Sequence, residues 1–166
     1  MGFHGWGGSE DEYNLNRWVR KGYAAFTMSD RGWGMSCGAM DVAKRLTPAC
    51  TGVGPGASEG GYNHLMDTRF EVRDAQEMAG LLVDNDVADP DAIGATGGSY
   101  GGISMSLAAL NDRKMRLDGS LVPWQSPDGT PIALAAAAPE IPWSDLAYSL
   151  VPNGSTLDYA VDSTYD

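Results

Sequence analysis

Apolar positions along this chain follow two different periods, and the switch between them predicts the order of elements. From Met66 to Val83, Val72, Ala75, Ala79 and Leu82 recur at helical spacing, which predicts an amphipathic helix. Tyr23–Met28, Ala92–Thr96 and Ile132–Ala138 are short apolar runs bounded by turn residues, and they predict buried strands. Met1-Gly2-Phe3 reads as the tail of a strand that runs into the glycine-dense turn His4-Gly5-Trp6-Gly7-Gly8. Ser9-Glu10-Asp11-Glu12 then forms a capping box, in which the Ser9 hydroxyl and Glu12 carboxylate satisfy exposed amides. The helix that follows extends to about Lys21 with Tyr13, Trp18 and Val19 inward. Arg20 and Lys21 sit at its negative dipole end and Gly22 stops it. Ser104–Leu110 predicts another helix.

Between these elements the sequence reads as turns. Residues 35–63 are loop-like, with Gly-Val-Gly-Pro-Gly at 52–56 and Gly60-Gly61 as breakers. Residues 84–91 form a polar turn. Residues 112–131 carry the turn signals Asp118-Gly119, Pro127 and Asp128-Gly129, and read as an excursion or hairpin. Residues 139–166 read as irregular, or as the start of a cap region. Strands that alternate with helices imply an α/β fold, with a mostly parallel sheet and helices on both faces. No internal repeat is visible, and residues 1–166 fit one domain.

Charge narrows the partners. There are 22 acidic against 11 basic side chains, a net charge of −11, and the short basic clusters do not extend into a face that could follow phosphates. A nucleic-acid partner is therefore not expected. The longest apolar stretch, Ile132 to Pro139, falls far short of the ~20 residues that span a bilayer. No basic-then-apolar leader is visible at Met1, and the cellular location stays open. Cys37 and Cys50 lie in one loop, where a disulfide would stabilise by about 3 kcal/mol, and two free thiols are the equal alternative. Two cysteines and two distant histidines do not make metal spacing. Asp84–Asp89 lacks the glycine of a calcium loop, so neither a metal nor a cofactor is expected. Asp67, Arg69, Glu71, Arg73 and Asp74 read as an exposed mixed-charge helix face.

The chemistry concentrates in Gly97-Gly98-Ser99-Tyr100-Gly101, a G-x-S-x-G between a predicted strand and a predicted helix. That context is the one a nucleophile elbow requires. Glycine at Gly97 and Gly101 avoids clashes in the tight turn, and Gly98 completes the approach. The turn lifts the Ser99 hydroxyl over the sheet edge. It also leaves the Tyr100 amide at a helix N-terminus, where it can donate to an oxyanion. A dinucleotide site is not supported, because G-x-G-x-x-G is absent and so is a Tyr-x-x-x-Lys pair. In the His4–Gly8 turn, glycines let the backbone approach a substrate carbonyl, which makes the Trp6 amide the candidate second oxyanion donor. His4 reads as structural, bonded to backbone.

With these motifs in hand, the chain resembles the peptidase S15 branch of the α/β-hydrolases, which holds the Xaa-Pro dipeptidyl-peptidases, cocaine esterase and CocE/NonD hydrolases. The matching pieces are Phe3–Gly8, Asp30-Arg31-Gly32-Trp33-Gly34-Met35-Ser36, Gly94–Gly102, His64–Asp74 and Ala136–Trp143. The resemblance implies a serine hydrolase that forms an acyl-enzyme on Ser99. It would act on a small peptide or an acyl ester or amide, with the Tyr100 and Trp6 amides as oxyanion donors.

One departure qualifies this. The fold's triad runs Ser, then Asp or Glu, then His, yet both histidines, His4 and His64, precede Ser99. Asp145 reads as a loop residue at the start of a cap rather than as the triad acid. His64 reads as a structural contact ahead of a helix. The expectation is therefore a partial α/β-hydrolase fold truncated at both ends, with the triad Asp and His outside this chain and little activity in isolation. The alternative is a non-catalytic α/β-hydrolase-like domain used for binding or interaction.

Overall fold

The computed structural model describes residues 1–8, 16–34, 36, 50–51 and 63–150. In chain order these give β1 (Gly2–Phe3), α1 (Asn16–Val19), β2 (Thr27–Met28), β3 (Trp33–Gly34) and β4 (Cys50–Thr51). There follow α2 (Glu71–Asp84), β5 (Ile93–Gly98), a 3-10 turn at Ser99–Gly102 and α3 (Ile103–Leu110). The last elements are β6 (Arg113–Met115), β7 (Leu121–Pro123), β8 (Leu134–Glu140) and α4 (Leu146–Leu150). The expected capping box at 9–12, Tyr13, Cys37, the glycine breakers at 52–56 and 60–61, and residues 151–166 lie outside the described residues.

Strands β2, β1, β5 and β8 pair in that order, all in parallel. The chain is thus an α/β fold with a mostly parallel sheet. Gly2 and Phe3 register against Thr96 and Gly97, and Gly97 in turn registers against Pro139. This stacks the carboxyl ends of three strands beside the 3-10 turn, where parallel sheets place their ligand sites. Two antiparallel pairs stand apart, β3 with β4 and β6 with β7.

The predicted helical stripe works as a double seam. Val72 and Ala75 of α2 pack with Phe3, Ala95, Tyr100, Ile103 and Leu107 in one buried cluster. One to two turns on, Ala79 and Val83 pack with Ile93, Trp124 and Ile132 in a second. Trp124 is 1% exposed, and its indole donates to the Gln76 carbonyl at 3.2 Å. The Gln76 side chain donates in turn to the Arg113 carbonyl at 2.8 Å, which ties the β6–β7 hairpin to α2. Among the described residues no helix is long and apolar enough to cross a membrane.

Four features differ from the sequence expectation. Helix α2 begins at Glu71 rather than Met66, because Leu65 and Met66 both take left-handed backbone angles, φ 61° and 63°, that a right-handed helix excludes. The strand expected over 23–28 is confined to Thr27–Met28, and Tyr23 is exposed with its ring edge-on to Trp18 at 5.7 Å. Val19 points to solvent rather than inward, while Trp18 is flanked by Arg17 and Lys21. The last strand begins at Leu134 rather than Ile132 and is exposed along Ala135–Glu140 instead of buried. Among the described residues only β5 pairs with it.

Candidate active site at the strand-to-helix turn

The turn from β5 into α3 is built by what its glycines exclude. A Cβ on Gly97 would overlap the Gly101 carbonyl oxygen and lie 2.8 Å from the Phe3 carbonyl oxygen. A Cβ on Gly101 would overlap the same Phe3 oxygen and sit 3.3 Å from the His4 oxygen. The backbone of the 3–4 segment therefore rests directly on the turn. Gly98 differs: its Cβ would meet nothing closer than the Glu140 oxygen at 3.9 Å.

Between these glycines Ser99 takes φ 54°, a left-handed value that a side-chain-bearing residue adopts only under constraint. Gly98 before it is extended, at φ −104° and ψ 147°, and the 3-10 turn begins on Ser99 itself. Extended, left-handed, then helical backbone is a sharp reversal, and Ser99 stands at its apex, half-buried. The Tyr100 amide follows at the start of the helical turn.

Aromatic rings close around Tyr100, whose side chain is fully buried. The Trp6 ring meets it edge-on at 5.5 Å and meets Trp33 at 4.8 Å. Trp143 lies tilted against Tyr100 at 6.3 Å. Trp6 nonetheless keeps 53% of its surface exposed, so a large apolar face opens to solvent beside the turn. The structure thus brings Trp6, Gly97, Gly98, Ser99, Tyr100 and Gly101 to one locality.

The two histidines occupy different places. His4 is 1% exposed; its Nδ1 pairs with the Gly5 carbonyl at 2.7 Å, and its Nε2 accepts the Asp30 amide at 3.0 Å. Both ring nitrogens are therefore committed to backbone, and the ring bridges the 4–8 turn to the 30–34 loop. His64 stacks flat on Phe70, with centroids 3.7 Å apart, and its amide donates to Glu71 at 2.7 Å. Asp145 accepts the Tyr148 amide at 2.8 Å, capping the start of α4 in an exposed position.

Sequence reasoning missed the acidic cluster beneath the turn. Asp30 and Glu71 are both fully buried. Among the described residues neither carboxylate oxygen of Asp30 has a hydrogen-bond partner, and burial pushes its carboxyl up to about 8, helped by the nearby charges of Glu71 and Asp74. Burial also raises the Glu71 carboxyl, against the two amides that it accepts. The Tyr100 hydroxyl is pushed up for the same reason, with Glu71 and Asp30 adding to it. Arg31 grips Asp74 through two bonds, Nε to Oδ2 at 2.6 Å and Nη2 to Oδ1 at 2.5 Å. The residues read as an exposed charged face therefore divide. Asp67 and Arg69 pair near the surface, Asp74 pairs with Arg31, and Glu71 lies inside. A signal was available, since Glu71 stands four and eight residues before Ala75 and Ala79, on the buried stripe itself.

With this geometry in view, comparison with known proteins adds one match. The sequence model of the prolyl oligopeptidase family, peptidase S9, matches residues 61–118, about a third of the chain, from the loop before α2 through the turn and α3 into the hairpin. That is a serine peptidase family of the α/β-hydrolase class. No curated protein and no solved structure matches the chain.

Proposed function

We propose that this protein is a serine hydrolase that transfers an acyl group to the Ser99 hydroxyl, with the Tyr100 and Trp6 backbone amides as oxyanion donors. The observation that carries the reading is the left-handed Ser99 between Gly97 and Gly101, whose missing side chains let the backbone of residues 3–4 lie against the turn. The match to a serine peptidase family over residues 61–118 supports it at the level of reaction class.

In the proposed reaction Ser99 Oγ attacks the carbonyl carbon of a peptide, ester or amide as a base takes its proton. The oxyanion meets the amides that follow the nucleophile and line the glycine turn. Collapse expels the amine or alcohol, and water then releases the acid and restores Ser99. His4 is not the base in this scheme, because its nitrogens already serve Gly5 and Asp30. The base is a separate group brought to Ser99, as the order of the fold's triad implies. The motif resemblance to peptidase S15 refines the substrate class toward X-Pro peptides or acyl esters. The exposed Trp6 face beside the nucleophile supports an apolar acyl or side-chain group there.

Fluorophosphonate labelling of the full-length gene product, with peptide mapping, tests this. The label is expected on the peptide that contains Ser99 and is lost in Ser99→Ala. Labelling that persists in Ser99→Ala, at any other residue, overturns the assignment.

A further inference from the structure

The carboxylate of Glu71 lies at the first position of α2 with no exposed surface. One of its oxygens accepts the His64 amide at 2.7 Å and the other accepts the Asp67 amide at 3.0 Å. Between those two amides lie Leu65 and Met66, the consecutive left-handed residues that hold α2 back from starting earlier. Two non-glycine residues in that region are an unfavourable run, and such a run persists only where surrounding contacts over-determine it. Glu71 supplies two of those contacts, one at each end.

The clamped loop reaches the nucleophile turn directly. Asn63 accepts the Leu65 amide at 2.8 Å through Oδ1, and its Nδ2 donates to the Tyr100 hydroxyl. Met66 then packs toward Gly102, where its Cε lies 3.6 Å from the place a Cβ would take. The path therefore runs from Glu71 to the 63–67 loop, from there to the buried phenol of Tyr100, and along that side chain to the amide that follows Ser99. Nothing in it depends on the Glu71 carboxylate touching substrate.

The choice of residue supports a specific task. A buried carboxylate is expensive to desolvate, and an apolar side chain would fill the space more cheaply. An amide of the same shape offers only one acceptor oxygen, so it would satisfy one loop N–H and set a donor against the other. Two acceptor atoms in a fixed fork are what the loop uses.

We propose that Glu71 is a positioning residue for the oxyanion hole, acting through the 63–67 loop and the Tyr100 hydroxyl. The inference rests on the assignment of Ser99 as nucleophile for its catalytic meaning, but the relay itself can be read without turnover.

The test uses the full-length gene product in Glu71→Gln, Tyr100→Phe and the double variant. Two readouts are taken: amide signals by 1H–15N NMR with hydrogen exchange, and the kinetics of fluorophosphonate labelling. In Glu71→Gln the Leu65, Met66 and Tyr100 amides are expected to shift and to exchange at least ten times faster, while Leu107 in α3 stays protected. The limiting labelling rate should fall about ten- to a hundred-fold, as small misplacements at a reacting centre do, with the half-saturating probe concentration unchanged. Tyr100→Phe should fall in the same way, and the double variant should lose little more, since both break one relay.

A folded Glu71→Gln with the Tyr100 amide at its wild-type position and a wild-type labelling rate overturns the proposal. So do losses that multiply in the double variant. If Glu71→Gln does not fold, Asn63→Ala and Tyr100→Phe interrupt the same path downstream and are read against the same criteria. A full-length wild-type product that takes no label overturns the hydrolase reading instead, and the amide shifts still decide the relay.

Discussion

His4 Nε2 accepts the backbone N–H of Asp30 at 3.0 Å, while the Asp30 carboxyl, 3.6 Å from the same nitrogen, has no hydrogen-bond partner among the described residues. The main chain of Asp30 is thus used and its side chain is stranded. A carboxyl in that position is easier to bury protonated, which is why it is held up to about 8.

This gives a pH dependence of definite sign. Unfolded, Asp30 loses its proton near pH 4; folded, it keeps it to about 8. Between those values the native state holds the extra proton, so stability falls as pH rises and levels off above the folded value. Asp30→Asn removes that dependence. Urea denaturation should show the variant close to wild type at pH 4 and more stable by a few kcal/mol, on the order of 3, at pH 9. Equal differences at both pH values would contradict the buried, protonated assignment.

The turn glycines are predicted to differ in rank. Gly97→Ala and Gly101→Ala press a methyl onto backbone oxygens that cannot rotate away, and each should destabilise by about 3 kcal/mol or more. Gly98 has an extended backbone and open space, so Gly98→Ala should stay within roughly 1 kcal/mol of wild type. Thermal melts of the three variants check the order.

Ser99 sits in a left-handed conformation that glycine adopts freely. Ser99→Gly should therefore be more stable than Ser99→Ala by roughly 0.5–1 kcal/mol, although both remove the hydroxyl. Paired chemical denaturation measures it. If alanine proves the more stable, the turn is not strained at this residue.

Arg31 and Asp74 form a two-bond fork that is partly open to water, with 23% and 31% of the side chains exposed. A double-mutant cycle with Arg31→Ala and Asp74→Ala should give a coupling of about 1 kcal/mol at low salt. The coupling should shrink at high ionic strength. Arg31→Lys should recover little of it, because an ammonium cannot form the fork.

The alternation of elements and the stripe through Val72, Ala75 and Ala79 were legible because periodicity reports directly which face is buried. Ser99 and its glycines were legible because a tight turn constrains residue type locally. Glu71 was misread although it lies on that stripe, since its charge suggested a surface and its partners are two amides that no composition reveals. The exposure of β8 was illegible for another reason: an alanine run reads the same at the centre of a sheet and at its edge. The left-handed Leu65 and Met66 carry no local signal either, because tertiary contacts impose their angles.

The rings around Tyr100 have an optical consequence. Trp6, Trp33 and Trp143 are three of the five tryptophans, and all lie within 6.5 Å, centroid to centroid, of the one tyrosine that follows Ser99. The near-ultraviolet dichroism and emission of the protein are therefore weighted toward this single locality. A molecule that settles on the exposed Trp6 announces itself in that spectrum, without a label and before any bond is broken.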